Sequence, residues 1–269
     1  MARTVSFGRF QFSVDVAGEA GPPVIALHSG GMSARQWKKL LERLAPTHRA
    51  LAPYFLGYGE SSPWPRHEPF HFAHDVLGVE ALMDELAEPV HLVAHSYGGL
   101  VALHAALHRP RAVRSISLCE PVAFGVLLTE GSLPPLDSMP FGTPVLPEGP
   151  GAAETWLTWF VDYWNGEGGW SRIPDRMLAA FLASAPVAYG EVYSLLGERT
   201  PANVWATIDA PMLLLHGEHS PPEARRVAAI LAQTARDGAL HVVRGAGHMA
   251  PLTHEADVND RIVAHIARY

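Results

Sequence analysis

Val90-His91-Leu92-Val93-Ala94-His95-Ser96-Tyr97-Gly98-Gly99-Leu100-Val101-Ala102-Leu103 is the stretch that decides the fold. A short apolar run ends in a small-x-Ser-x-Gly turn, and the chain resumes at once with helical spacing. A serine between a buried strand and a helix is presented on a sharp, strained turn with its hydroxyl exposed. The residues two places either side, Ala94 and Gly98, must be small for the turn to close. The helix that follows aims the N–H groups of its first turn at the site. Ser96 is therefore the candidate nucleophile. An ordinary turn serine matches the five-residue pattern equally well; the flanking strand and helix carry the distinction.

Working outward, short apolar runs alternate with amphipathic stretches. Phe10 to Val16, Val24 to Leu27, Arg49 to Pro53, Val90 to Ala94, Val113 to Leu118, Met212 to His216 and Leu240 to Val243 read as strands. Ser33 to Leu44, Phe72 to Leu86, Leu100 to Leu107, Glu223 to Ala235 and Glu255 to Ala267 read as helices. The alternation predicts an α/β chain with a doubly wound, mostly parallel sheet covered on both faces. From Val122 to Thr207 the rhythm breaks. A Pro/Gly-rich piece, Pro134-Pro135 through Pro150-Gly151, precedes helix-like segments at Glu154 to Trp164, Asp175 to Ser184 and Val187 to Leu196. This predicts a helical cap, residues 122–207, inserted in a core formed by residues 1–121 and 208–269. Of its aromatics (Trp156, Trp159, Phe160, Tyr163, Trp164, Trp170), most are expected to pack as cap core. Trp159 and Trp164 are taken as candidate substrate-binding residues.

Two further motifs flank the serine. Leu27-His28-Ser29-Gly30-Gly31-Met32 follows an early strand. Glycine there lets a backbone N–H approach a developing oxyanion. Gly30 is preferred to Gly31 as one oxyanion donor, and the amide of Tyr97, the residue after the serine, is the other. Gly245-Ala246-Gly247-His248 follows the last strand. A histidine on a glycine-rich loop can reach the nucleophile and titrates near neutral pH. With fifteen histidines in the chain, position after the last strand is what singles out His248. His254 is expected at the surface, and the His95 side chain is expected to point away from the pocket. His67, His71 and His74 suggest a metal only by the i, i+3 spacing of the last two. No cysteine or carboxylate pair completes a ligand set, so no metal is expected.

Composition narrows the partners. The net charge of −7 over 269 residues, without clustered Lys and Arg, argues against general nucleic-acid binding. No phosphate-cradling glycine motif is present, and no cofactor is expected. Cys119 is the one cysteine, so no intrachain disulfide forms. The N-terminal residues do not resemble a signal peptide, and no apolar run approaches membrane-spanning length. The expectation is a cytoplasmic protein acting on a small molecule, with no nucleic-acid or membrane partner.

His28-Ser29-Gly30-Gly31, Gly57-Tyr58-Gly59-Glu60-Ser61, His95-Ser96-Tyr97-Gly98-Gly99 and Gly247-His248 together resemble the α/β-hydrolase superfamily over essentially the whole chain. The resemblance implies a serine hydrolase with a Ser–acid–His triad. It departs from the family at the acid. Members commonly place an Asp after the seventh strand, three residues after a Gly; here Leu215-His216-Gly217-Glu218-His219-Ser220 puts Ser220 there. Glu120, at the end of the sixth strand in Ser117-Leu118-Cys119-Glu120-Pro121, stands where part of the haloalkane-dehalogenase branch carries its acid. Neighbouring strand ends, about 4.8 Å apart, can both approach one histidine. A carboxylate ending a buried strand is also costly unless paired. Glu120 is therefore preferred over Glu218, with a hinge carboxylate as the plainer reading. Those dehalogenases and the epoxide hydrolases of this fold use an Asp nucleophile, so Ser96 points instead to carboxylic ester cleavage. Thioesterase, lactonase, amidase and C–C hydrolase chemistry on the same triad, or a non-catalytic binder of small ligands, are the alternatives.

Overall fold

The computed structural model describes residues 2–130 and 142–269; Pro134-Pro135 lies outside them. The strands are β1 (Ala2–Phe7), β2 (Phe10–Ala17), β3 (Pro23–Leu27), β4 (Arg49–Pro53), β5 (Val90–His95), β6 (Val113–Cys119), β7 (Met212–Gly217) and β8 (Gly238–Val243). They form one eight-stranded sheet in the order β1-β2-β4-β3-β5-β6-β7-β8. The β1–β2 and β2–β4 pairs are antiparallel and all others parallel.

The helices between them are α1 (Lys38–Leu44), α2 (Ala73–Leu86), α3 (Tyr97–His108), α4 (Ala152–Asn165), α5 (Asp175–Leu196), α6 (Ala202–Trp205), α7 (Pro222–Thr234), α8 (Ala250–Thr253) and α9 (Glu255–Ile266). Strand side chains alternate between two cores, as a pleated strand requires. Ile25, Leu27, Leu92, Ala94, Met212 and Leu214 pack with Val79, Leu82, Leu100, Val101 and Val227 of α2, α3 and α7. Val24, Ala26, Val93, Leu213 and Leu215 pack with Leu40, Leu41 and Leu44 of α1 and Val258 and Ile262 of α9. Central strands buried on both faces explain why β5 and β7 read as continuous apolar runs.

Three sequence expectations are corrected. The edge strand β1 has no counterpart among the expected strands; its residues alternate polar and apolar and it is paired on one side only. The stretch 33–44 is a 3₁₀ turn, Ala34–Trp37, followed by α1. The two segments 175–184 and 187–196 are a single helix, α5, running through Pro186. Proline costs a hydrogen bond there, but Ala185, Ala188 and Tyr189 on either side are fully buried and hold the helix together. By length and composition α5 could also cross a membrane; here it packs on α4.

Between β6 and β7 the described residues contain no strand. Trp156, Leu157 and Val161 of α4, Trp170, and Ala185, Ala188 and Tyr189 of α5 form a third core of their own. This inserted helical segment lies over the ends of the strands that carry the site.

Candidate active site

Ser96 sits between β5 and α3 with φ +52° and ψ −116°, a strained conformation for a residue with a side chain. The sheet over-determines it: its N–H donates to the Cys119 carbonyl at 2.9 Å, and its own carbonyl accepts from Gly99 at 2.8 Å. Gly98 is required by close approach. A Cβ there would lie 2.5 Å from the His28 carbonyl oxygen and 2.8 Å from that of Leu27. The elbow and the 28–32 loop are thus locked backbone to backbone.

Glu120 is the next residue after β6 and also has positive φ, +46°. Its N–H continues the β6–β7 ladder to the Leu215 carbonyl at 2.9 Å. Its carboxylate turns into the loop after β7. There Oε1 accepts from the Gly217 N–H at 2.8 Å and from the Ser220 hydroxyl. Oε2 lies 2.7 Å from His248 Nδ1. Burial raises the carboxyl pKa, but the His248 ring, the Gly217 amide and the Ser220 hydroxyl outweigh it and hold the group down at about 2. Ser220, at the position where the family resemblance would put an Asp, instead donates to the Glu120 carboxylate. Glu218 is placed elsewhere. It is half-buried and binds the Arg244 guanidinium and the Gly245 N–H, each at 2.9 Å.

The loop carrying His248 is fixed by the same turn. The His219 N–H donates to the Ala246 carbonyl at 2.8 Å. A Cβ on Gly217 would lie 2.5 Å from the carbonyl oxygens of Ala246 and Gly247. His95 does point away from the cavities, but it is not idle. Its Nε2 donates to the His248 carbonyl at 3.0 Å while its Nδ1 accepts from the Gln36 amide at 3.1 Å. Burial lowers its pKa to about 3, keeping it neutral. His28, lowered by burial to about 4, bridges the Ser29 carbonyl and the Phe55 N–H in the same way.

Two cavities meet at Ser96. The larger, about 240 Å³, is lined by Gly30, Ser96, Phe160, Trp164, His248 and Met249 among others. The smaller, about 30 Å³, is lined by Gly30, Ser96, Tyr97, Trp159, Tyr163 and Glu191 with apolar neighbours. Trp164 stacks on the His248 ring with centroids 3.8 Å apart and planes 23° from parallel. Trp159 faces the smaller cavity, whereas Trp156 and Trp170 belong to the core of the inserted segment.

Two buried residues, Asp75 and Glu191, went unnoticed in the sequence, and Tyr58 was noticed only as part of a motif. Tyr58, from the Gly57–Ser61 turn, accepts from the Gly31 N–H at 2.8 Å and donates to Glu191 Oε2 at 3.0 Å. Glu191 of α5 is fully buried. Burial, with the nearby Asp75 carboxyl, pushes its pKa well above the carboxylate range. Asp75, also fully buried, is raised by burial to about 7, although the Tyr97 hydroxyl at 2.6 Å and the Leu56 N–H at 3.1 Å pull it back. Asp75 and Glu191 sit on helices whose pattern gives no sign of a polar core. Among the described residues no group of three or more His, Cys, Asp or Glu is placed to hold a metal. His74 packs against Trp64 and Phe10 instead.

The chain belongs to the alpha/beta hydrolase family, whose sequence profile matches residues 24–261. A haloalkane dehalogenase from Mesorhizobium japonicum is 35% identical over 105 residues, covering 39% of this chain and 33% of the relative. Lipase LipV from Mycobacterium tuberculosis is 37% identical over 106 residues, covering 39% of each chain. These matches span well under half the length of either relative. A hydrolase structure from Pseudomonas aeruginosa superposes with a TM-score of 0.75 at 20% identity, covering 98% of both chains. At that identity the likeness carries the fold.

Proposed function

We propose that this protein is a serine hydrolase that cleaves a carboxylic ester through an acyl-enzyme on Ser96. The observation that carries the reading is the 2.7 Å contact between Glu120 Oε2 and His248 Nδ1, in a cavity that His248 shares with the strained Ser96. Glu120 is a carboxylate, so it accepts a hydrogen bond from Nδ1–H, which stays on the ring and leaves His248 Nε2 as a base. Nε2 takes the Ser96 proton as Oγ attacks the carbonyl, and later delivers it to the leaving alkoxide. Water, deprotonated by the same nitrogen, then cleaves the acyl-enzyme. Glu120 stabilises the transient imidazolium.

The oxyanion donors are the amides of Gly30 and Tyr97. Gly31 is set aside because Tyr58 takes its N–H. We read residues 122–207 as a cap over the core formed by 1–121 and 208–269, with Trp159 and Trp164 shaping the substrate space. The proposed partner is a small-molecule ester, with no nucleic acid, no membrane and no cofactor. A single buried cysteine supports a cytoplasmic setting.

A fluorophosphonate probe on the intact protein tests the reading. Ser96 should be labelled, and Ser96→Ala should abolish labelling and lower p-nitrophenyl ester turnover by roughly 10³-fold or more with the fold intact. Labelling that survives in Ser96→Ala would overturn the assignment.

A further inference from the structure

His248 rides on the glycine-rich loop after β8, and its work as a base depends on the direction its ring faces. The backbone there is held, by the His95 bond to the His248 carbonyl and by the His219 bond to Ala246. The ring is held by one hydrogen bond, from Nδ1 to Glu120 Oε2 at 2.7 Å. A single bond fixes where Nδ1 lies but lets the ring tilt about it, and a tilt carries Nε2 away from the nucleophile. Packing against the ring must therefore set the tilt.

Two rings pack on the imidazole. His95 is the looser contact, with centroids 4.8 Å apart and planes 42° from parallel. Trp164 is the closer, at 3.8 Å and 23°, a stack of face on face. Trp164 does not belong to the core that carries the triad. It is the next to last residue of α4, in the inserted segment. That helix end is itself pinned. A helix leaves its last carbonyls without partners, and a cation there satisfies them and suits the dipole. Here the Arg172 guanidinium donates to the carbonyls of Asn165 and Glu167, each at 3.0 Å. Tyr163 packs edge-on against the indole, with centroids 4.9 Å apart.

An indole so placed does two things. It holds the imidazole at the tilt that Glu120 and Ser96 both need. It also offers an electron-rich face to a ring that becomes cationic on taking the Ser96 proton, and tryptophan is the best of the aromatic faces for a cation. The stack is already formed in the free protein, so nothing has to reorganise as the charge develops.

Resting on the esterase reading above, we propose that Trp164 is a positioning residue for His248: the inserted segment completes the catalytic base of the core by stacking an indole on its ring. Trp164 acts through His248, so its effect falls on the chemical step and is the same for every ester. A residue that only shapes the substrate space acts through KM and in step with the acyl chain.

The test measures the rate of fluorophosphonate labelling at Ser96, and kcat and KM for p-nitrophenyl acetate, butanoate and octanoate, in the wild type, Trp164→Phe and Trp164→Leu. Labelling needs the serine activated by His248 and involves none of the three acyl chains. Trp164→Leu should slow labelling and lower kcat by roughly 10- to 10²-fold, alike for the three esters, the order expected when a reacting group is displaced by up to about an ångström. Trp164→Phe keeps a stacked ring and should recover most of both rates. Trp164→Met supplies the non-aromatic comparison if the leucine variant does not fold. A leucine variant that labels at the wild-type rate, or whose losses sit in KM and change with acyl length, overturns the proposal while the esterase reading stands. Equal slowing in the phenylalanine and leucine variants would show that indole volume, not a stacked face, is at work, and overturns it as well. If the wild type labels but cleaves none of these esters, the labelling rates decide alone. If it neither labels nor cleaves, both readings fall.

Discussion

Glu120 and Glu191 are both buried glutamates near Ser96, yet their pKa values are shifted in opposite directions. Glu120 ends a core strand and meets three donors: the Gly217 amide, the Ser220 hydroxyl and the His248 ring. Glu191 lies on the inserted helix α5 and meets two, the Tyr58 hydroxyl and the Gly31 N–H, with a second carboxyl, Asp75, nearby. Desolvation acts on both in the same direction. The number of donors and the sign of the neighbouring charge decide the outcome. A carboxyl held low favours the charge an imidazolium would need beside it; one pushed up by burial and a like neighbour favours its neutral form.

The largest way to break the comparison is to remove the charge of the first. Glu120→Gln should lower kcat by roughly 10³- to 10⁴-fold with little change in KM, because the lost interaction grows only as the imidazolium forms. Steady-state kinetics on a p-nitrophenyl ester measures this. A variant that stays nearly fully active would remove Glu120 from the triad.

A smaller effect comes from forcing the second carboxyl off the oxyanion loop. Gly30→Ala should cost roughly 10²-fold in kcat, the order expected for misplacing an oxyanion donor by an ångström. Adding Glu191→Ala removes the atom that the new Cβ strikes, Oε2 at 2.7 Å, and should recover much of the loss. Additive losses in the double variant would show that the strain lies elsewhere.

Thinning the donors around Glu120 should matter less. Ser220→Ala leaves the Gly217 amide and His248 in place, and Glu218→Gln touches only an exposed pair with Arg244 and Gly245. Each should cost less than about tenfold in kcat. A larger loss in Glu218→Gln would revive it as the acid.

The smallest effects concern stability against pH. Glu120 is held at about 2 in the fold against 4.5 for a free carboxyl, so its contribution is complete above 4.5 and is lost as pH falls toward 2. Asp75 is raised from 3.8 to about 7, so the folded state binds the extra proton, and stability falls as pH rises from about 4 through 7. Urea midpoints across pH should therefore decline on both sides. Asp75→Asn should flatten the decline between pH 4 and 7 while leaving the acid-side decline. If it leaves both slopes unchanged, Asp75 ionises normally.

Much of the framework was legible because it is written locally. Strand–turn–helix around Ser96, the apolar runs of the central strands and the helical spacing of α2, α7 and α9 depend on residues a few positions apart. The break of α5 expected at Pro186 was misread because packing from both flanks offsets a local defect. Asp75 and Glu191 escaped notice because an acidic residue on a helix ordinarily faces solvent. Nothing in either segment shows that a tyrosine from a distant turn will meet it.

What the sequence determined by itself is the class of sheet, the strand–turn–helix that presents Ser96 and the glycine-rich loop that carries His248, since each is fixed by neighbours along the chain. It also narrowed the acid to two candidates. It already preferred Glu120, but only the tertiary structure brings that carboxylate against the His248 ring, because the partners are distant: Glu120 and His248 are 128 positions apart, and Tyr58 and Glu191 133. The same holds for the stacking of Trp164 on His248 and for the charge of each buried carboxyl. A pKa is set by desolvation and by the donors that surround a group, and those exist only once the distant segments have packed.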